Sequence, residues 1–177
     1  MIITIAGDLG SGKSTVGKLL AKRLNMDFFS TGDLMRSIAE EKNISLLELS
    51  ALAEKTDEVD KLLDARQTEL GSSGKNLILD SRLGWYFIPK AIKIFLTVDP
   101  EESARRIFND NRSSEKENNS LEETMNNIRR RKESERKRYR KYYGIIYDDK
   151  TNFDLLIDTT NLSPEEVVDK IVKSIKI

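Results

Sequence analysis

Ile2-Ile3-Thr4-Ile5-Ala6-Gly7-Asp8-Leu9-Gly10-Ser11-Gly12-Lys13-Ser14-Thr15 joins a short apolar run to a glycine-rich loop with the spacing G-x-x-x-x-G-K-S. An apolar, β-branched run with no polar face reads as a central parallel strand covered on both sides. Followed directly by such a loop and then a helix, it has the context of a phosphate-binding P-loop. The glycines let successive N–H groups converge, and the helix behind them adds the positive end of its dipole. Gly7, Asp8, Leu9, Gly10, Ser11, Gly12, Lys13, Ser14 and Thr15 are therefore the candidate polyphosphate cradle. Lys13 would reach the β- and γ-phosphates as a point charge, and the Ser14 hydroxyl would bind a bridging Mg²⁺. A P-loop alone does not separate a kinase from a switch GTPase or a motor.

Outward from this loop, strand and helix patterns alternate. A helix is expected from Lys13 to about Leu24, with Val16, Leu19, Leu20 and Leu24 on one face, then a strand at Phe28-Phe29-Ser30. Helices are expected over Asp33 to Ala39, Ser45 to Glu54 and Asp57 to Leu70, the second opening on the capping box Ser45/Glu48. Leu77 to Asp80, Ala91 to Val98 and Asp154 to Asp158 read as buried strands. Glu101 to Asn111, Leu121 to about Tyr143 and a segment opened by Ser163-Pro164 read as helices. The alternation predicts a three-layer α/β fold, a parallel sheet of about five strands with helices on both faces.

At 177 residues the chain suits one domain with excursions. It contains no cysteine and no histidine, which removes disulfides, cysteine-rich zinc sites and imidazole bases. Carboxylates, hydroxyls, lysine, arginine and bound metal remain, an inventory suited to phosphoryl transfer. No targeting signal or membrane-length apolar run is visible, so a cytoplasmic protein without membrane contact is expected. Net charge is zero, yet acids predominate from Asp33 to Glu69 while Arg129 to Lys141 is a basic block interrupted by Glu133 and Glu135. Those acids, at helical spacing, are expected to make i, i+4 pairs, which argues against nucleic-acid binding.

A second constellation lies where the strand ends should meet the P-loop edge, the side of a doubly wound sheet on which ligands gather. Ser30-Thr31-Gly32-Asp33-Leu34-Met35-Arg36 ends the second strand and places Arg36 one turn into a helix, suited to a second phosphate. Asp80-Ser81-Arg82 ends the third strand. Asp80 could hold Mg²⁺ or align Ser14, and Arg82 offers a planar fork for phosphate. Arginines facing one lysine suggest two phosphate-bearing substrates.

These segments together resemble the nucleoside monophosphate kinases, and in particular the cytidylate kinase-like group in its short, archaeal-type form. The resemblance runs through nearly the whole chain: the P-loop, Ser30 to Arg36, the Asp57-to-Gln67 helix, Arg82-Leu83-x-Trp85, and Arg131-x-Glu133-Ser134-x-x-x-Arg138-Tyr139 leading to Tyr143-Gly144. Ser81 stands where these kinases usually carry glycine, and Asp80 where the group more often has glutamate. The resemblance implies one P-loop kinase domain over 1–177: a core of 1–30, 76–111 and 145–177, an acceptor-binding arm over 31–75 and a lid over 112–144. It implies ATP and Mg²⁺, an acceptor CMP or dCMP, and a monomer acting on small nucleotides. By position Thr31, Gly32, Asp33, Arg36 and Arg82 would bind the acceptor, and Arg131 and Arg138 would close from the lid, with Arg106 and Arg112 as further candidates. Asp60, Asp64, Arg66 and Gln67 form the pool for base recognition. An adenylate kinase or a shikimate-type small-molecule kinase is the nearest alternative; a regulatory or nucleic-acid-binding P-loop ATPase is the alternative outside the kinases.

Overall fold

The computed structural model describes residues 1–110 and 118–175. Five strands form one parallel sheet in the order β2-β3-β1-β4-β5: β1 (Ile2–Gly7), β2 (Asp27–Ser30), β3 (Leu77–Asp80), β4 (Ile92–Thr97) and β5 (Leu155–Asp158). The P-loop strand is central, and its register pairs Ile5 with Asp80 on one side and Gly7 with Leu96 on the other. Because all strands run the same way, Gly7, Ser30, Asp80 and Asp158 end at one edge of the sheet. That edge is where a doubly wound fold collects its ligands.

Ile3 and Ile5 are fully buried, as an apolar central strand requires, and they join Val16 and Leu20 of α1 (Lys13–Leu24) and Val167 and Ile171 of α8 (Pro164–Ile175) in the principal core. On the sheet's other side Leu77, Leu79, Ile88 and Ala91 form a second cluster. Two helices, α6 (Pro100–Asp110) and α7 (Leu121–Tyr143), follow β4. Among the described residues no helix is long and apolar enough to cross a membrane.

Between β2 and β3 lie α2 (Thr31–Glu41), α3 (Leu46–Lys55) and α4 (Glu58–Ser72). They carry their own small core of Ala39, Leu49, Ala53, Val59 and Leu63, so this arm packs on itself as well as on the sheet. The capping box at Ser45 is formed in both directions, Ser45 N–H to Glu48 Oε2 at 2.7 Å and Glu48 N–H to Ser45 Oγ at 3.1 Å. Helix α4 runs to Ser72, past the Gly71 at which the composition suggests a turn. Its apolar residues divide: Val59 and Leu63 enter the arm's core, Leu70 packs against the second sheet cluster, and Leu62 is exposed. A short helix α5 (Gly84–Phe87) and a 3₁₀ turn at Lys150–Asn152 were not expected from periodicity.

Candidate active site

The P-loop is held through its carbonyls, both from within and from neighbouring elements. Gly7 O accepts from Lys13 and Arg82, Asp8 O from Ser11 and Lys13, Leu9 O from Ser103, Gly10 O from Arg106, and Ser11 O from Thr159. The first N–H groups of a helix have no intrahelical acceptor. Those of Lys13, Ser14 and Thr15 therefore remain as donors at the start of α1, beside the cavity these residues line. Gly7 has φ +152, and a Cβ there would stand 2.3 Å from Leu96 O. Gly10 has φ +72, and its Cβ would meet Ser103 O at 2.7 Å. Both glycines are required by close backbone approach as well as by torsion.

Lys13 Nζ lies 2.6 Å from Asp8 O and 3.2 Å from Gly7 O. Burial, with Arg82 adding like-charge repulsion, pushes its pKa down to about 7. The Ser14 hydroxyl donates to Asp80 Oδ2 at 2.6 Å, and Ser30 Oγ donates to the same oxygen at 3.0 Å. A serine hydroxyl and a buried carboxylate in contact are hard oxygen donors of the kind Mg²⁺ takes, and Mg²⁺ commonly draws its other ligands from phosphate and water. Among the described residues no group of three or more acidic side chains could hold a metal by itself. The residues thus fit a cation that phosphate helps to bind.

A cavity of about 690 Å³ connects these groups to the arm. Its lining includes the loop from Leu9 to Thr15, Thr31, Gly32 and Arg36 of α2, Asp80 and Arg82 after β3, Arg106 of α6, and Arg131 and Arg138 of α7. The structure therefore gathers the predicted donor cradle and the predicted acceptor arginines around one space. Ser30 caps the start of α2, its Oγ accepting from the Asp33 N–H, and the Asp33 carboxylate accepts from Arg36 and lies 3.8 Å from Lys18. Thr31 donates to the carbonyl of Asp80 at 3.2 Å, tying the arm's first turn to β3.

The proposed base-reading pool divides. Asp60 and Gln67 are buried, Asp64 is half-buried, and Arg66 pairs with Glu69 on the surface. None of the four lines the cavity. Gln67 Oε1 accepts from Ser81, and its Nε2 donates to Leu63 O at 3.2 Å, so the serine after Asp80 anchors α4. Asp60 pairs with Arg138 at 3.4 Å, and Asp64 accepts from Tyr143. Burial raises the Asp60 pKa against the pull of Arg138. Burial likewise raises Asp64, to about 6, despite the bond from Tyr143.

The basic block is a helix with distinct faces. Ser134, Arg138 and Tyr142 face the arm, bonding to Ser50 O, approaching Asp60 and bonding to Ala53 O respectively. Lys132 and Arg136 face the core: Lys132 pairs with Asp8 at 3.2 Å, and both reach Asp148, Arg136 at 2.7 Å. Asp8, a loop position whose residue type has no motif-level explanation, thereby links the P-loop to α7. Glu135 does not pair along its own helix as its spacing suggests; it turns inward to Arg82 Nε at 2.9 Å. Arg106 fastens α6 to the end of β5 through Thr159 O and Thr160 O, at 2.9 and 3.0 Å, while also lining the cavity. Residue 111 of the expected core, and Arg112 with the other expected lid positions over 112–117, lie outside the described residues.

Comparison with known proteins agrees with this geometry. The model of the cytidylate kinase-like family matches residues 2–161. A protein of Methanobrevibacter smithii named cytidylate kinase is 37% identical over 177 residues, covering 100% of this chain and 99% of its own. One of Methanosphaera stadtmanae with the same name is 39% identical over 176 residues, covering 99% and 98%. Among solved structures, a shikimate kinase of Bacteroides thetaiotaomicron superposes with a TM-score of 0.70 at 17% identity, covering 100% of this chain and 99% of that one. At such identity the likeness concerns the fold.

Proposed function

The chain belongs to the cytidylate kinase-like family, and we propose that it transfers the γ-phosphoryl group of ATP to CMP or dCMP, giving the nucleoside diphosphate and ADP. The observation that carries this reading is the shared cavity, in which a P-loop with Lys13 and Ser14 faces Arg36, Arg82, Arg131 and Arg138. One polyphosphate needs a cradle and a lysine; arginines from the arm and from β3 suit a second phosphate group.

In this reading an oxygen of the acceptor phosphate attacks the γ-phosphorus while the bond to the β,γ-bridging oxygen breaks in line. The P-loop N–H groups and Lys13 bind the donor, and Arg36 and Arg82 hold the acceptor phosphate. Arg131 and Arg138 offset charge from the α7 side. Ser14 and Asp80 would hold Mg²⁺, which when bound neutralises charge on the β- and γ-phosphates. No general base is required, because a phosphate monoester is already ionised near neutral pH. That requirement suits a chain without histidine.

Initial rates with ATP and each of CMP, dCMP, UMP, AMP and shikimate test the assignment. The cytosine nucleotides are expected to give the highest kcat/KM. AMP or shikimate as the best acceptor would replace the reading with the corresponding kinase.

A further inference from the structure

Glu135 lies in the middle of a run rich in arginine and lysine, yet its side chain is only 12% exposed. Its Oε2 accepts from Arg82 Nε at 2.9 Å, and the buried Tyr147 interacts electrostatically with the same carboxylate. Arg82 is thus gripped on two sides: its Nε edge by α7 through Glu135, and its NH1 by the P-loop carbonyl of Gly7. An arginine buried beside Lys13, with no anion on its Nε edge, would feel the lysine's charge and keep its rotamer freedom. The carboxylate removes both problems.

We propose that Glu135 is a positioning residue for phosphoryl transfer, one that aims the Arg82 fork at the acceptor phosphate and makes that aim depend on α7 lying against the core. This rests on the kinase reading above. Glu135 itself needs no contact with either substrate; it acts through Arg82. Its ionisation is consistent with the role: burial opposes the charge, but Arg82, Arg131 and Arg138 together hold its carboxyl below the ordinary range. The same three arginines line the cavity, so one carboxylate on α7 balances the cations on which the acceptor side depends. Two further contacts of α7, Lys132 with Asp8 and Ser134 with Ser50, would seat the helix so that Glu135 reaches Arg82.

The test is a double-mutant cycle on Glu135→Gln and Arg82→Ala, with thermal melting to confirm that each variant folds. Gln preserves shape and an acceptor oxygen, and Glu135→Asp serves as the second variant should Gln fail to fold. Arg82→Ala is expected to lower kcat/KM for CMP by about 10²- to 10³-fold, as loss of a single electrostatic donor does. Glu135→Gln should lower it about 10-fold or more with KM for ATP changed less than about 3-fold, and the double variant should be no worse than Arg82→Ala within about 3-fold. Losses that multiply, or wild-type kinetics for Glu135→Gln, would overturn the proposal. The same cycle on the dissociation constant of CMP measured without ATP, where no transfer occurs, reads the coupling independently. Wild-type failure to phosphorylate CMP would defeat the kinase reading, while additive effects of the two substitutions on CMP binding would defeat the role of Glu135.

Discussion

The ammonium of Lys13 and the guanidinium of Arg82 meet at one acceptor, the carbonyl of Gly7. One group belongs to the donor cradle and the other follows β3, so a single backbone oxygen of the P-loop joins the two halves of the site. The register of β1 against β3 sets Ile5 beside Asp80, so β1 runs two residues further, to Gly7, where Arg82, two residues after Asp80, meets it.

Lys13 is half-buried with its pKa pushed down to about 7, so much of its population is neutral at pH 8. A bound triphosphate favours the ammonium form, so ATP binding at that pH should take up a proton, with a limit of about one per site. Calorimetry in buffers of differing ionisation enthalpy reads this directly. Lys13→Met should abolish the uptake; proton release on binding by the wild-type protein would contradict the account.

The same pKa fixes a stability trend. The folded protein binds fewer protons at Lys13 than the unfolded chain between pH about 7 and 10.5, so this group's contribution to stability rises with pH across that window. Lys13→Met is expected to remove that part of the slope and to leave the midpoint at pH 7 no lower than wild type, because a poorly solvated charge is lost. A large drop in melting temperature would argue that Lys13 holds the loop together.

Asp60 and Arg138 form a buried pair in which, among the described residues, Asp60 Oδ2 and Arg138 Nε and NH1 have no hydrogen-bond partner. Removing one partner leaves the other charge buried and alone, at a cost of about 3–5 kcal/mol. Asp60→Ala should therefore destabilise by that order in urea unfolding, whereas Asp60→Leu combined with Arg138→Met should recover most of the loss. Equal destabilisation of the single and double variants would show that the pair's charges matter little.

Gly7→Ala tests the loop's geometry. Its Cβ would fall 2.3 Å from a backbone oxygen of the central sheet, with φ in a region that disfavours side chains. The variant should lose both thermal stability and ATP binding; near-normal melting with full binding would mean the β1–β4 edge can yield.

Much of this arrangement was legible in the sequence because it depends on local signals. The P-loop spacing placed β1 and α1, and the capping box of Ser45 and Glu48 marked where α3 begins. The Gly84–Phe87 helix was not legible: one turn of aromatic residues has no period to read. Asp8, Lys132 and Glu135 were misjudged or left without a role for a common reason. A charge on a helix or loop has the same local signature whether it meets water or a buried partner, and only the packing of α7 against the core decides which. Ser81 is a similar case, since its bond to Gln67 joins residues on separate elements.

The most direct measurement is ADP formation from ATP with and without CMP. The account predicts a rate that depends on CMP, with one CDP formed per ADP and little hydrolysis in its absence. ADP released at an equal rate without CMP, and no CDP recovered, would contradict it.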